Sequence, residues 1–248
     1  MSESSKVVVL FTREYGKLKL AARGARRPKS KFGASLEAMT WGNYVFYRRE
    51  NREIQTLSEG DIVHAFDDVK ANYGRLAAGS VICELLDHMT EDEDRNAMLF
   101  SIVIDTLRWV GVLPERLLDV PIWYFQLKAA GALGYRPHLS GCVQCGNRLE
   151  ADALGFGPAL GGALCKAHAN LGMSVARLTL DFLEYLQTGR PDRIDLGRFS
   201  HINRAEVNRV LRSFLDQHLV SVYRQKAMDF FDRLRVAECS IEPTQEGR

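Results

Sequence analysis

The chain has 248 residues, 46% of them apolar and 26% charged, with a formal net charge of +2. That length can bury a sizeable core and hold more than one domain, and the composition is that of a soluble globular protein. It has no apolar run of about 18 residues and no charged-then-apolar leader, which argues against a membrane-spanning or secreted chain and for a cytoplasmic one.

The small net charge hides an asymmetry. Residues 1–66 carry 12 Lys/Arg against 7 Asp/Glu, whereas residues 67–135 carry 6 against 11. The N-terminal part is therefore where an anionic polymer is expected to bind.

Residues 6–13 are β-branched and apolar, as in a strand, and Glu14-Tyr15-Gly16 reads as a turn. Residues 17–24 alternate as a second strand. A basic loop follows, Ala25-Arg26-Arg27-Pro28-Lys29-Ser30-Lys31, which Pro28 keeps out of any helix. Residues 35–49 read as a long third strand, with Trp41, Asn43, Val45 and Tyr47 on one side and Tyr44, Phe46 and Arg48 on the other. Glu53 to Val63 reads as a weaker fourth. Several short strands ahead of helices suggest a small β-barrel of the oligonucleotide-binding kind over residues 1–66.

From residue 67 the apolar period becomes helical. A helix is expected through Leu76–Leu86, and Thr90-Glu91-Asp92-Glu93 reads as a capping box before a helix from Asn96 to Val110. A third helical segment runs from Ile122 to Leu133. Beyond residue 172, helices are expected over Leu178–Leu186 and, as one long element, Ala205–Leu234. The expected organisation is α+β: a barrel over 1–66, a helical domain over 67–137 and 173–240 with a metal module over 138–172 set into it, and a flexible tail over 241–248.

The metal module rests on Cys142-x2-Cys145-Gly146 followed by Cys165-x2-His168. Each pair forms one tight turn, and two such pairs supply a tetrahedral site of three thiolates and one imidazole, which suits structural zinc. A redox Cys pair would want a βαβ setting, and a zinc deaminase would want H-x-E ahead of its Cys pair; neither is present. Gly155–Gly162 lacks phosphate-loop spacing and reads as flexible turns between the two metal-binding halves. Cys83 and Cys239 read as reduced thiols, with Cys83 in the core.

Between Arg13 and Lys31 stand eight Lys/Arg and one acid, Glu14. Lys17 and Lys19 share a strand face, and Arg23, Arg26, Arg27, Lys29 and Lys31 continue the stripe, giving a candidate nucleic-acid surface with salt-dependent affinity. Tyr15, Tyr44 and Tyr47 lie close enough to stack bases, while Trp41 and Phe46 read as core. The competing reading is a solvated loop beside core aromatics. Acidic groups that could serve an enzyme, Asp67-Asp68 and Glu91–Asp94, lack metal-ligand spacing, so no catalytic residue is assigned.

These residues carry a family resemblance. The text Leu10–Leu18, Ala22–Ser30, Glu84-Leu85-Leu86-Asp87, Gly134-Tyr135-Arg136-Pro137 and the Cys142/Cys145 pair resembles the bacterial RecO family of DNA repair proteins, which act as recombination mediators. The resemblance implies a non-enzymatic protein that binds single- and double-stranded DNA and anneals complementary strands. It implies work with RecR and the single-stranded DNA-binding protein to help RecA assemble, on the bacterial nucleoid. Two departures stand out. Family members usually begin with a further strand ahead of the segment equivalent to Lys6–Arg13, so an open barrel edge is expected here. Many also close their metal site with a second Cys pair, where this chain has Cys165 and His168. An RNA-binding or transcription-associated zinc protein would use the same parts and is the alternative. Arg209, Arg212 and Arg224 on the last helix, and Lys128 and Arg136 beside the metal module, are further basic positions where a partner could bind.

Overall fold

A computed structural model describes residues 4–199, 201–219 and 226–241. Within them the chain forms two compact units, one from residues 1–118 and 225–248, the other from 119–224. No helix among the described residues is long and apolar enough to cross a membrane.

The first unit begins with four strands, β1 (Lys6–Thr12), β2 (Gly16–Ala22), β3 (Trp41–Tyr47) and β4 (Ile54–His64), in the sheet order β1-β2-β4-β3. β1 and β2 form an antiparallel hairpin, β4 runs parallel to β2, and β3 returns antiparallel to β4. Alternation puts Val8, Leu18, Leu20, Ala22 and Leu57 on one face, where they form a core with Phe32 and Leu36. β1 and β3 remain edges, so this oligonucleotide-binding-type sheet is an open barrel.

Two strand expectations need correction. The third strand begins at Trp41, because residues 33–36 form a 3-10 turn. Phe32 and Leu36, at its two ends, are both buried in the sheet core. The turn is held by the Ser35 hydroxyl donating to Phe32 O at 2.6 Å and by the Tyr44 hydroxyl donating to Ser35 O at 2.6 Å. The fourth strand, read as weak, is the longest at 11 residues. Its two flanking partners stabilise it where its own sequence pattern is poor.

Helix α1 (Asp67–Lys70) is a single turn, and α2 (Tyr73–Met89) and α3 (Ala97–Val112) follow. Asn72 caps α2 by accepting from Arg75 N, and Asn96 caps α3 by accepting from Leu99 N, both at 2.9 Å. The capping box expected at Thr90 does not form. Thr90 instead follows the end of α2, its hydroxyl donating to Leu86 O at 2.7 Å. Residues 92–93 lie along β2, with Asp92 bridged to Lys17 and Glu93 N–H donating to Lys17 O at 2.9 Å. The backbone of this stretch finds its partner in a strand, so the helix starts only after it.

The second unit contains α4 (Asp119–Ala132), β5 (Ala153–Gly157), β6 (Gly162–Leu164), β7 (Met173–Ala176), α5 (Arg177–Thr188) and α6 (Arg204–His218). Every residue from Asp119 to Leu127 is buried, as befits a helix apolar on all sides, and α4 packs on both α5 and α6. Trp123 Nε1 donates to Asn208 Oδ1 at 2.5 Å, and Arg204 pairs with Asp119. The strands form a small antiparallel sheet in the order β6-β5-β7. The Gly-rich stretch 155–162, read as flexible turns, is thus mostly a hairpin, with Gly155 opposite Leu164 and Gly157 opposite Gly162.

The single helix expected over Ala205–Leu234 is two. α6 ends at His218, residues 220–225 lie outside the described set, and α7 (Lys226–Ile241) belongs to the first unit, where it packs on α2. The reason is visible at its start: the Glu84 carboxylate accepts from Lys226 N at 3.0 Å and Ala227 N at 2.9 Å. An acid from α2 thereby satisfies two N–H groups that a helix leaves unpaired and complements its positive end. The expected tail is largely outside the described residues, which resume no further than Ile241.

Replacing Glu84 by Ala should lower stability by about 1 kcal/mol, with Gln intermediate. Urea unfolding that gives the wild-type midpoint for Glu84→Ala would show that α7 does not depend on this cap.

Candidate metal centre and nucleic-acid interface

The metal-ligating residues expected from sequence come together in the second unit. Cys142 and Cys145 lie in a tight turn that Gly146 closes at φ +75°, donating its N–H to Cys142 O at 2.8 Å. A side chain at this position would be strained. The turn is fixed to the β5–β6 hairpin, since Val143 N–H donates to Ala163 O at 2.9 Å. Cys165 follows β6 directly, and His168 lies in the 3-10 segment Lys166–Leu171, its N–H donating to Cys165 O at 2.9 Å. The hairpin is therefore the spacer that carries the second pair back to the first.

The four ligand atoms all lie within 4.8 Å of one another. Cys145 Sγ is 3.8 Å from Cys165 Sγ, and His168 Nδ1 is 3.3 Å from Cys165 Sγ and 3.7 Å from Cys142 Sγ. A tetrahedral ion with bonds of about 2.3 Å to sulfur and 2.0 Å to nitrogen needs S···S edges near 3.8 Å and S···N edges near 3.5 Å. The donor set fits such an ion. Cys142 and Cys165 are buried against Leu164, Val143 and Leu149, whereas Cys145 is exposed and His168 half-buried. Burial pushes the Cys142 thiol up, but hydrogen bonds from the backbone of Cys165, Gln144 and Cys145, with the Cys145 thiol, outweigh it and hold it down at about 6. Backbone dipoles thus favour the thiolate that a metal requires.

The expected basic stripe divides into two groups in the first unit. Lys17 and Lys19 are committed to acids. Lys17 Nζ donates to Asp87 O at 2.6 Å and lies 3.2 Å from the Asp87 carboxylate, its side chain only 13% exposed. Lys19 Nζ is 2.7 Å from Asp92 and 2.8 Å from Glu53, and hydrogen bonds to Asp92 and then Glu53 push its ammonium well above the usual lysine range. Both lysines serve the fold as much as any ligand.

Arg23, Arg26, Arg27, Lys29 and Lys31 are all exposed, and none is ion-paired to an acid among the described residues. They project from a loop braced by two backbone turns, Arg27 N to Gly24 O at 3.1 Å and Ser30 N to Arg27 O at 3.0 Å. Buried Phe32 anchors its end, with Lys31 lying 5.4 Å over the Phe32 ring.

The structure also adds residues that sequence reasoning did not single out. Arg49 and Arg52, in the turn between β3 and β4, are exposed and in no ion pair among the described residues. Their neighbour Arg48 is held by Glu93 at 2.7 Å and by the Tyr15 ring at 5.7 Å. The available signal was three arginines at the end of an aromatic strand. Of the three candidate stacking tyrosines, Tyr44 is turned to the core and Tyr15 sits edge-on to Phe46 at 5.5 Å; Tyr47 is 66% exposed.

Other basic positions are less free. Arg209 is bound to Ser174 O at 2.9 Å and lies 3.6 Å from Glu206; Arg212 is exposed; Arg224 lies outside the described residues. Arg136 donates to Gln187 at 3.1 Å, and Lys128 lies over Tyr124 at 5.3 Å, its ammonium depressed by burial and by Arg136. Cys83, expected in the core, is half-buried, and desolvation of its thiol pushes it up to about 11.

Comparison with known proteins gives these features a family. Residues 1–66 match the family model described as "Recombination protein O N terminal", and residues 70–227 match "Recombination protein O C terminal". The chain is 32% identical over 240 residues to the DNA repair protein RecO of Symbiobacterium thermophilum, covering 95% of this chain and 93% of that one. It is 33% identical over 220 residues to that of Exiguobacterium sp., covering 88% and 84%, and 31% identical over 239 residues to that of Halalkalibacterium halodurans, covering 94% and 89%. With an open oligonucleotide-binding-type sheet, a helical part and a Cys3His cluster in place, this chain belongs to the RecO family of DNA repair and recombination proteins.

Proposed function

We propose that the chain is a non-enzymatic recombination mediator that binds single- and double-stranded DNA and anneals complementary strands. With RecR, it helps RecA assemble on DNA covered by the single-stranded DNA-binding protein, in the bacterial cytoplasm. The observation that carries the DNA-binding part is the loop of five exposed cations, Arg23, Arg26, Arg27, Lys29 and Lys31, free of ion pairs to acids among the described residues. Five unpaired charges on one braced loop can displace counterions from a DNA backbone, which gives affinity without sequence preference.

Annealing asks no bond to be made or broken. Two strands repel through their phosphates, and a surface that neutralises part of that charge raises the local concentration of both. Lys17 and Lys19 contribute less, since Asp87, Asp92 and Glu53 already neutralise them. Membership of a DNA repair and recombination family supports RecR and the single-stranded DNA-binding protein as its partners.

The metal in this reading is zinc, held by Cys142, Cys145, Cys165 and His168. A bound zinc ion supplies a cross-link between the two turns; with four protein ligands it has no open position for a reacting group. The residues themselves tie the hairpin to the Cys142 turn, so the ion supports the fold of the second unit and not a reaction.

A strand-annealing assay with two complementary oligonucleotides, across a salt series and without nucleotide or Mg²⁺, should show rapid annealing that fades as salt rises. No annealing with DNA still bound, or tighter binding to RNA, would overturn the mediator reading. Replacing Arg26, Arg27, Lys29 and Lys31 together by Ala should flatten the slope of log affinity against log salt by about 3, at roughly 0.7–0.9 for each phosphate that the variant no longer neutralises. Thermal unfolding should be unchanged, and an unchanged slope would move the DNA path elsewhere. Cys142→Ser should bring the zinc content down from about one ion per chain toward zero and destabilise the second unit. Stoichiometric zinc in that variant would contradict the ligand set.

A further inference from the structure

The four metal donors are not equally placed. Cys145 is exposed, whereas Cys142 and Cys165 are only 2% and 8% exposed and His168 is half-buried. The Cys142 sulfur accepts from the backbone N–H groups of Cys165, Gln144 and Cys145, and the Cys145 sulfur from that of Asn147 alone. The backbone of Cys142 is tied to Gly146 and Asn147, and that of Cys165 to His168. The backbone of Cys145 is in no such bond among the described residues. Cys145 therefore offers the sulfur that solvent reaches first and that its surroundings hold least.

A second sulfur stands ready across the site. Cys165 Sγ lies 3.8 Å from Cys145 Sγ, in the other half of the donor set. A disulfide needs about 2.05 Å, so a small movement of the exposed turn closes the gap. Cys165 also lines an open recess of about 440 Å³ that it shares with Arg148, Glu150 and Lys166. Arg148 and Lys166 are exposed and in no ion pair among the described residues, so cations outnumber the acid there. An accessible thiolate beside a resolving thiolate, in an electropositive setting, is the arrangement that oxidants attack selectively.

We propose that Cys145 and Cys165 form an oxidation site, at which hydrogen peroxide joins them as a disulfide and zinc is released. This rests on the zinc reading above and adds a way to reverse metal binding. The Cys145 thiolate attacks one peroxide oxygen and the O–O bond breaks. The sulfur becomes a sulfenic acid, and the other oxygen leaves as hydroxide, which takes a proton to give water. The Cys165 thiolate then attacks that sulfur, forming the S–S bond and expelling a second hydroxide, which is protonated likewise. The two sulfurs lose two electrons in all, and one peroxide becomes two waters. Cys142 and His168 remain as donors, too few to hold zinc tightly. A disulfide within the C-x2-C pair would close inside one turn. The Cys145–Cys165 bond instead joins that turn to the end of β6, the same two parts that the metal joins. Oxidation therefore exchanges one cross-link for another, and a dithiol reductant with zinc reverses it.

The test is a titration of the full, zinc-loaded chain with hydrogen peroxide. Metal release is followed with a chromogenic chelator, and disulfides are mapped by mass spectrometry after thiol alkylation. Zinc content should fall from about one ion per chain to near zero, with a Cys145–Cys165 disulfide appearing in step. A dithiol reductant with added zinc should restore the starting state. The oxidised chain should unfold at a higher temperature than the reduced chain stripped of metal by a chelator, since the disulfide keeps the two halves tied. Cys145→His keeps four donors but lacks the attacking sulfur, so it should hold its zinc at peroxide levels that empty the wild type. If that variant binds no zinc, the wild-type disulfide map decides alone. A Cys142–Cys145 disulfide, sulfinic acid at Cys145 without an S–S bond, or equal zinc loss from Cys145→His would overturn the proposal. So would a wild-type chain that keeps its zinc and all its thiols through the titration. If the wild-type chain carries no zinc at the outset, the zinc reading falls, and the presence or absence of the Cys145–Cys165 disulfide still decides the oxidation site.

Discussion

The first unit depends on the approach of the Asp92–Asp94 backbone to the start of β2. Gly16 adopts φ +68°, and a Cβ there would lie 2.1 Å from Asp94 O, so no other residue fits. Next to it Lys17 meets Asp92 and Asp87, and its carbonyl receives the Glu93 N–H. Individually such contacts contribute little, with exposed ion pairs worth about 0–1 kcal/mol. Stability comes from burial, in the sheet core around Leu18, Leu20 and Leu57 and along α2 from Ala77 to Met89. What the polar contacts decide is position: where β2 meets the end of α2, and where α3 can begin.

α2 ties these parts together. Glu84-Leu85-Leu86-Asp87 turns one acid to the N-terminus of α7 and the other to Lys17, with Leu85 and Leu86 buried between them. One helical turn thus joins the sheet, the helix core and the returning C-terminal segment. The acids of residues 84–94 neutralise the lysines nearest the helices, and the cations farther along the chain remain available. At physiological salt a charge is felt over about 8 Å, so neutralisation close to α2 need not quench the loop.

The metal module is organised locally. Its two Cys/His pairs are turns, its spacer is a hairpin, and backbone hydrogen bonds within the same stretch of chain set Cys142, Cys165 and His168. That is why C-x2-C and C-x2-H could be read as one site before any fold was known. The helices with a strong apolar period, around Leu76–Leu86 and from Asn96, were legible for the same reason: the information lies within a few residues. The α+β class was legible too, from strand-like runs followed by helical ones.

Sequence by itself determined most of the element types, the Cys3His set that clusters and the region of excess positive charge, because each depends on neighbours in the chain. It did not determine which charges are free. Lys17 and Lys19 look identical in kind to Arg26 and Lys29 until Asp87 and Asp92, some seventy residues away, are brought against them. Nor could it tell Tyr47 from Tyr15 and Tyr44, since exposure follows from what packs on each face of the sheet. The break between α6 and α7 and the failure of the Thr90 capping box have the same origin: a distant group, Glu84 or the Lys17 carbonyl, offers the backbone a partner. Local pattern encodes periodicity, and only the tertiary fold pairs long-range donors with acceptors and charges with countercharges.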